Sequence, residues 1–299
     1  MRGQPNVWDR SGEATGDQAR ERVLAGIPLT QRRLRLAGVA TALLEGGDGP
    51  PLVLLHGQGG WAAGWLPIIP DLVRTHRIVA PDLPGLGASE TPDGPPDTAT
   101  VLAWLDELID ATCAAPPVLV GASLGGSIAA RFAADHSQRL DRLVLVDTGC
   151  LVGRVRPAPS VLLALVRHSL RPSRRTMLRF LRQVTVDLDR LRERLGERWE
   201  PFLAYSLDRA RTPSVRAANP HLLRELGWQQ IPPQDLEQIA VPTTLIWGRQ
   251  DRVMPLRSAQ EASARYGWPL QVIDNAGHFL VADQPEAFLA ALQDALGDR

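Results

Sequence analysis

The chain has 299 residues, 44% of them hydrophobic and 22% charged, with zero formal net charge, so it can bury a large core as one domain with an insertion or as two domains. That balance gives no support to a nucleic-acid partner or a charged membrane surface, and no apolar run is long enough to span a bilayer. The two cysteines, Cys113 and Cys150, form neither a disulfide framework nor a metal-ligand spacing, which points to a reducing cytoplasm.

In chain order, residues 1–28 are polar and read as a loose N-terminal extension with a short helix around Gln18–Leu24. Arg33-Leu34-Arg35-Leu36 alternates as a half-exposed edge strand does, and Val39–Leu44 is its hairpin partner. Pro51-Leu52-Val53-Leu54-Leu55 is a fully buried strand that runs into His56-Gly57-Gln58-Gly59-Gly60. A Gly-rich loop after a central strand lets the backbone approach a ligand. The N–H of Gln58 is therefore a candidate oxyanion donor, against the plainer reading of a strand-end turn. Trp61 and Trp65 follow at helical spacing, as core or as a pocket wall. Arg77–Ala80 is the next strand. The Pro- and Gly-rich loop after it carries Asp82, read as a structural hydrogen-bonding residue. Thr98–Thr112 is an amphipathic helix with Trp104, Leu105 and Leu108 on one face.

Pro117–Val120 is an apolar β-branched strand, and Leu124–His136 has helical spacing. Between them lies Gly121-Ala122-Ser123-Leu124-Gly125. A strand that turns this sharply into a helix forces Ser123 into a strained conformation with its hydroxyl exposed, and side chains at 121 and 125 would collide. The helix start aims N–H groups, Leu124 among them, at the same point. Leu143–Val146 is another buried strand, ending at Asp147.

From 51 to 147 strand and helix alternate, the pattern of a mostly parallel sheet covered by helices on both faces. Residues 150–240 break it. They are helical in pattern, with amphipathic stretches at Ser160–Ser169 and Arg174–Trp199, and hold 16 arginines against 9 acidic residues. This predicts an inserted helical cap between two parts of an α/β core, 29–149 and 241–299. The core resumes with the strand Pro242–Trp247 and Gly248-Arg249-Gln250-Asp251. Then come a helix at Leu256–Tyr266, the strand Leu270–Ile273, Gly277-His278-Phe279 and a closing helix at Gln284–Leu296.

Ser123, Asp251 and His278 thus stand at the ends of three strands, on the rim of a parallel sheet where ligands bind. A serine hydroxyl needs an imidazole to take its proton, and the imidazole needs a carboxylate to fix its tautomer. The order Ser…Asp…His is the one that accompanies such an elbow. Asp147 also follows a strand and is the alternative acid. Asp251 is preferred because its Gly-x-x-Asp turn lies just upstream of the histidine strand.

On His56-Gly57, the Asp82–Ser89 loop, Gly121–Gly125, Gly248–Asp251 and Gly277-His278, residues 30–299 resemble the α/β-hydrolase fold superfamily. Serine at the elbow sets the chain apart from that superfamily's epoxide hydrolases and haloalkane dehalogenases, which carry aspartate there. The stretch from Met177–Leu181 through Arg198-Trp199-Glu200 is similar to the lid of meta-cleavage C–C hydrolases. That resemblance implies a substrate-carboxylate contact for Arg198, whose alternative is a solvated lid charge. Gly60-Trp61, Ala122 and Phe279 depart from that family's pattern.

The combined reading is a serine hydrolase of a small or medium acyl substrate, a carboxylic ester before a diketo-acid. Ser123, Asp251 and His278 act as the triad, the N–H groups of Gln58 and Leu124 hold the oxyanion, and Trp61, Arg198 and Phe279 line the substrate. A ligand receptor on the same fold is the reading from another class. Neither metal nor organic cofactor is implied, no nucleic-acid partner is expected, and a homodimer is left open.

Overall fold

In this computed structural model the described residues are 16–91, 93–153 and 157–297. Eight strands form one sheet: β1 (Thr30–Leu36), β2 (Val39–Gly46), β3 (Pro51–Leu55), β4 (Arg77–Pro81), β5 (Val118–Ala122), β6 (Arg142–Val146), β7 (Thr243–Gly248) and β8 (Leu270–Ile273). Their order is β1-β2-β4-β3-β5-β6-β7-β8. The β1–β2 hairpin and the β2–β4 pair are antiparallel, and every other pairing is parallel.

The apolar strands are buried on both sides because alternate residues feed two cores. Val53, Leu55, Leu119, Leu143, Leu145, Leu245 and Trp247 enter one. Leu52, Leu54, Val118, Val120, Val144, Val146 and Ile246 enter the other. This period of two is what an all-apolar run means in a parallel sheet. The helices Thr98–Thr112 and Leu124–His136 cover the first face, and the closing helix Pro285–Leu296 covers the second.

Between β6 and β7 the chain is helical: Pro159–Leu170, Arg174–Val184, Leu188–Leu195, Trp199–Arg211, Pro213–Leu222 and Pro233–Glu237, with a π-helical turn at Leu223–Gly227. The single stretch expected over Arg174–Trp199 is broken. Val184, Thr185 and Val186 lose side-chain freedom in a helix, and the Asp187 carboxylate caps the next one by accepting from the N–H groups of Asp189 and Arg190, both at 3.0 Å. The helical segment has a small core of its own, with Met177, Leu181, Leu191, Trp199, Leu203 and Leu207.

The short helix expected around Gln18–Leu24 is present, but it is packed rather than loose. Gly16–Leu24 is a helix that buries Ala19, Arg20, Val23 and Leu24 and packs along Trp199–Arg211. Residues 1–15 lie outside the described residues.

Candidate active site

The elbow sets the geometry. Ser123 sits between β5 and the helix Leu124–His136 at φ 52°, ψ −113°, a conformation that side-chain-bearing residues seldom adopt. Surrounding bonds hold it there. The Ser123 N–H donates to Val146 O at 2.9 Å, and Ser123 O accepts from the Ser127 N–H at 3.0 Å. A Cβ on Gly121 would fall 2.5 Å from Gly125 O, and one on Gly125 would overlap the carbonyl oxygen of Leu55. Only glycines fit either side of the serine.

From Ser123 a chain of hydrogen bonds runs across the sheet rim. Ser123 Oγ lies 2.9 Å from His278 Nε2, and His278 Nδ1 lies 2.8 Å from Asp251 Oδ2. The Asp251 side chain is fully buried and that of His278 is 14% exposed. Asp251 is aimed by its own turn, since its Oδ1 accepts from the N–H groups of Val253 at 2.7 Å and Met254 at 3.0 Å. The indole of Trp247 donates to Met254 O at 2.8 Å and fixes that turn from below. With both ring nitrogens of His278 engaged, the carboxylate makes Nδ1–H the donor and the serine hydroxyl makes Nε2 the acceptor.

The loop after β3 comes up against the serine: a Cβ on Gly57 would stand 3.2 Å from Ser123 Cβ. Gln58 follows Gly57 in that loop, and Leu124 is the first residue of the elbow helix, where a backbone N–H has no acceptor within the helix. His56 is buried and structural. Its Nδ1 lies 2.8 Å from Gly57 O and its Nε2 accepts from the Leu83 N–H at 2.9 Å, and burial pulls its pKa below the usual histidine value. Asp82 is structural as expected. It accepts from the Ala62 and Ala88 N–H groups, both at 2.8 Å, and so ties the loops after β3 and β4 together.

The three remaining candidates fall in different places. Phe279, next to the histidine, donates its N–H to Val184 O at 2.7 Å and packs against the helical segment's core. Trp61 is 3% exposed, its ring 4.4 Å from that of Tyr205 and beneath the Arg20 guanidinium, so it belongs to a buried junction. Arg198 is not brought to the site. It is exposed beside the end of the N-terminal helix, where its guanidinium donates to Ala25 O at 2.9 Å. The carboxylate contact expected from the resemblance is replaced by a clamp on the N-terminal helix.

Two supports carried no sequence signal. Arg20 reaches from the N-terminal helix to Asp82 Oδ2 (2.9 Å) and the Tyr205 hydroxyl (3.1 Å), joining extension, sheet and helical segment. Asp283 accepts from the Gly277 N–H at 2.8 Å and the Val186 N–H at 3.0 Å, fastening the histidine loop to the helical segment, while burial pushes its pKa up. Asp147 lies beside Asp251. Its carboxylate, that of Asp251 and the His278 ring place ligand atoms within 4.8 Å of one another, the one grouping among the described residues able to take a cation. The imidazole, however, is already engaged on both sides.

An elbow serine, a buried carboxylate and a histidine between them, on the C-terminal rim of a mostly parallel sheet, are the architecture of a hydrolase. The family model of the α/β-hydrolase fold matches residues 50–285, and the chain belongs to that family. It is 27% identical over 284 residues to a 2-hydroxy-6-oxo-6-(2'-aminophenyl)hexa-2,4-dienoic acid hydrolase of Metapseudomonas resinovorans, covering 90% of this chain and 91% of the relative. It is 30% identical over 263 residues to a pimeloyl-[acyl-carrier protein] methyl ester esterase of Aeromonas hydrophila subsp. hydrophila, covering 84% and 97%. Among solved structures, a serine hydrolase involved in carbazole degradation superposes with a TM-score of 0.75 at 25% identity, over 91% of this chain and 100% of that one. No described helix is long and apolar enough to cross a membrane.

Proposed function

We propose that this hydrolase is a serine enzyme that cleaves a small or medium acyl substrate, a carboxylic ester first, through an acyl-enzyme. The observation that carries the reading is the unbroken chain Ser123 Oγ–His278–Asp251 on a strained elbow. His278 Nε2 takes the hydroxyl proton as Ser123 Oγ attacks the ester carbonyl. Asp251 holds the tautomer and stabilises the imidazolium. The N–H groups of Gln58 and Leu124 receive the oxyanion, the term that contributes most in such sites. The imidazolium then protonates the leaving alcohol, and a water activated by His278 releases the acid from Ser123. The helices between β6 and β7 serve as the cap over this rim.

The ester reading is favoured by the methyl ester esterase relative. A second reading, hydrolysis of a C–C bond in a vinylogous diketo-acid, is favoured by the dienoic acid hydrolase relative. Arg198, held by Ala25 on the outside, is no part of either. A panel of p-nitrophenyl esters of rising acyl length, run beside a ring-fission keto-acid, separates them. Turnover confined to esters supports the first reading. Turnover confined to the keto-acid replaces it with the second. Turnover of neither, with no labelling by a fluorophosphonate, makes the chain a binding protein on this fold.

A further inference from the structure

Asp147 ends β6 at φ 42° and is 1% exposed. Its N–H donates to Ile246 O at 3.1 Å, and its Oδ1 accepts from the Gly248 N–H at 2.9 Å, so the residue bridges the ends of β6 and β7. Its other oxygen, Oδ2, is buried and meets no donor. The side chain that faces it is Asp251. Oδ1 of Asp251 is occupied by the Val253 and Met254 N–H groups, and Oδ2 by His278. The charges that act on Asp147 are those of Asp251 and Asp283, both acidic, and His278 stands beyond Asp251. Two ionised carboxylates buried side by side repel strongly, and a single shared proton removes the repulsion.

We propose that Asp147 is a positioning residue that keeps its proton at working pH and donates it, as an O–H···O hydrogen bond, to the carboxylate of Asp251. The proposal rests on the Ser123–His278–Asp251 reading above. It gives the orphaned oxygen a role and leaves the pair with one negative charge. Burial, followed by the neighbouring Asp251, pushes the Asp147 carboxyl well above the usual carboxylate range, in agreement with the geometry. The bond fixes the rotamer of Asp251 and draws off part of its charge. Without the donor, Asp251 becomes a stronger partner for the imidazolium. His278 then holds its proton to higher pH, and the acid limb of kcat/KM moves up.

The test has a kinetic and a spectroscopic arm. Asp147→Asn keeps a donor toward Asp251 and an acceptor for Gly248, so it should hold kcat/KM for a p-nitrophenyl ester within about threefold, with the acid limb in place. Asp147→Val loses the donor at similar volume and should shift the acid limb upward. If either variant turns over no ester, the rate of fluorophosphonate labelling replaces kcat/KM. In the infrared, the wild type should show a buried carboxylic-acid C=O band that shifts in D2O and is absent in Asp147→Asn. A missing band, or an Asp147→Asn loss as deep as that of Asp251→Asn, would overturn the proposal, because an ionised Asp147 would then be the working form. If Asp251→Asn itself costs nothing, the triad reading fails instead, and the infrared band still decides the protonation of Asp147.

Discussion

Replacing Arg20 with methionine should destabilise the protein more than any surface change, because it breaks a junction buried from three sides. The Arg20–Asp82 contact is 2.9 Å, with side chains 7% and 0% exposed. The same guanidinium meets the Tyr205 hydroxyl at 3.1 Å and Gln31 Oε1 at 3.2 Å, and it lies 4.7 Å from the Trp61 ring centre. Burial disfavours its charge, but Asp82 and Tyr205 more than offset this and raise its pKa. Methionine keeps an apolar stem against the rings and removes the charge. Asp82 is left as a buried anion, and breaking one side of a buried pair costs about 3–5 kcal/mol. The Ala62 and Ala88 N–H groups still serve Asp82, which places the expected loss near the lower end, about 3 kcal/mol. In a chain of this size that lowers Tm by roughly 6–9 °C, at about 2–3 °C per kcal/mol. Urea melts of Arg20→Met, Asp82→Asn and the double variant measure it. The double variant should be more stable than the sum of the two single losses predicts, by at least about 1 kcal/mol. A single loss below about 1 kcal/mol, or strict additivity, would refute the idea that this pair carries the junction.

Other outcomes follow from the same geometry. Asp251→Asn should lower kcat by about 10⁴ by holding His278 in the wrong tautomer, with unchanged Tm, and an effect under tenfold in steady-state ester hydrolysis would move the acid elsewhere. Burial raises the Asp147 carboxyl above its usual 3.8, so below that pH it costs the fold nothing, and the cost grows as pH rises through the window between 3.8 and its raised native value. Asp147→Asn should therefore match the wild type in chemical denaturation near pH 4 and exceed it increasingly as pH rises above that, by up to about 1.4 kcal/mol per pH unit until the native Asp147 has ionised, and parallel curves would count against it. Burial pushes the Cys150 thiol up to about 11, and its Sγ donates to Gly227 O at 2.8 Å. At pH 8 it should react with a thiol reagent at least about 100-fold more slowly in the native state than in urea, and fast native labelling mapped to Cys150 would contradict its place under the π-helical turn.

The sheet was legible because its strands are short apolar runs closed by glycine and proline, and such runs have one use in an alternating pattern. Every strand expected from β1 to β8 is present within two or three residues of its place. The elbow was legible for a local reason: Gly121 and Gly125 are required by the same close approach that strains Ser123. Asp251 and His278 could be named because each closes a strand, and strand ends meet on one rim. What the sequence hid is long-range. Nothing about Arg20, in a polar segment that read as loose, predicts a partner 62 positions away in Asp82. Asp283 looks like any acid before a proline-capped helix, yet it joins Gly277 to Val186. The break at Thr185–Asp187 was hidden by strong amphipathic spacing on both sides of it. Arg198 was placed by resemblance to a lid, and only the docked N-terminal helix explains why it faces Ala25 instead.

The most direct test is intact mass after reaction with a fluorophosphonate, followed by peptide mapping. The wild type should gain one adduct, on Ser123, and labelling should slow sharply in His278→Ala. Ser123→Ala should take up none while melting at the wild-type temperature. An adduct on another residue, or labelling that persists in folded Ser123→Ala, would contradict the assignment of Ser123 as the nucleophile.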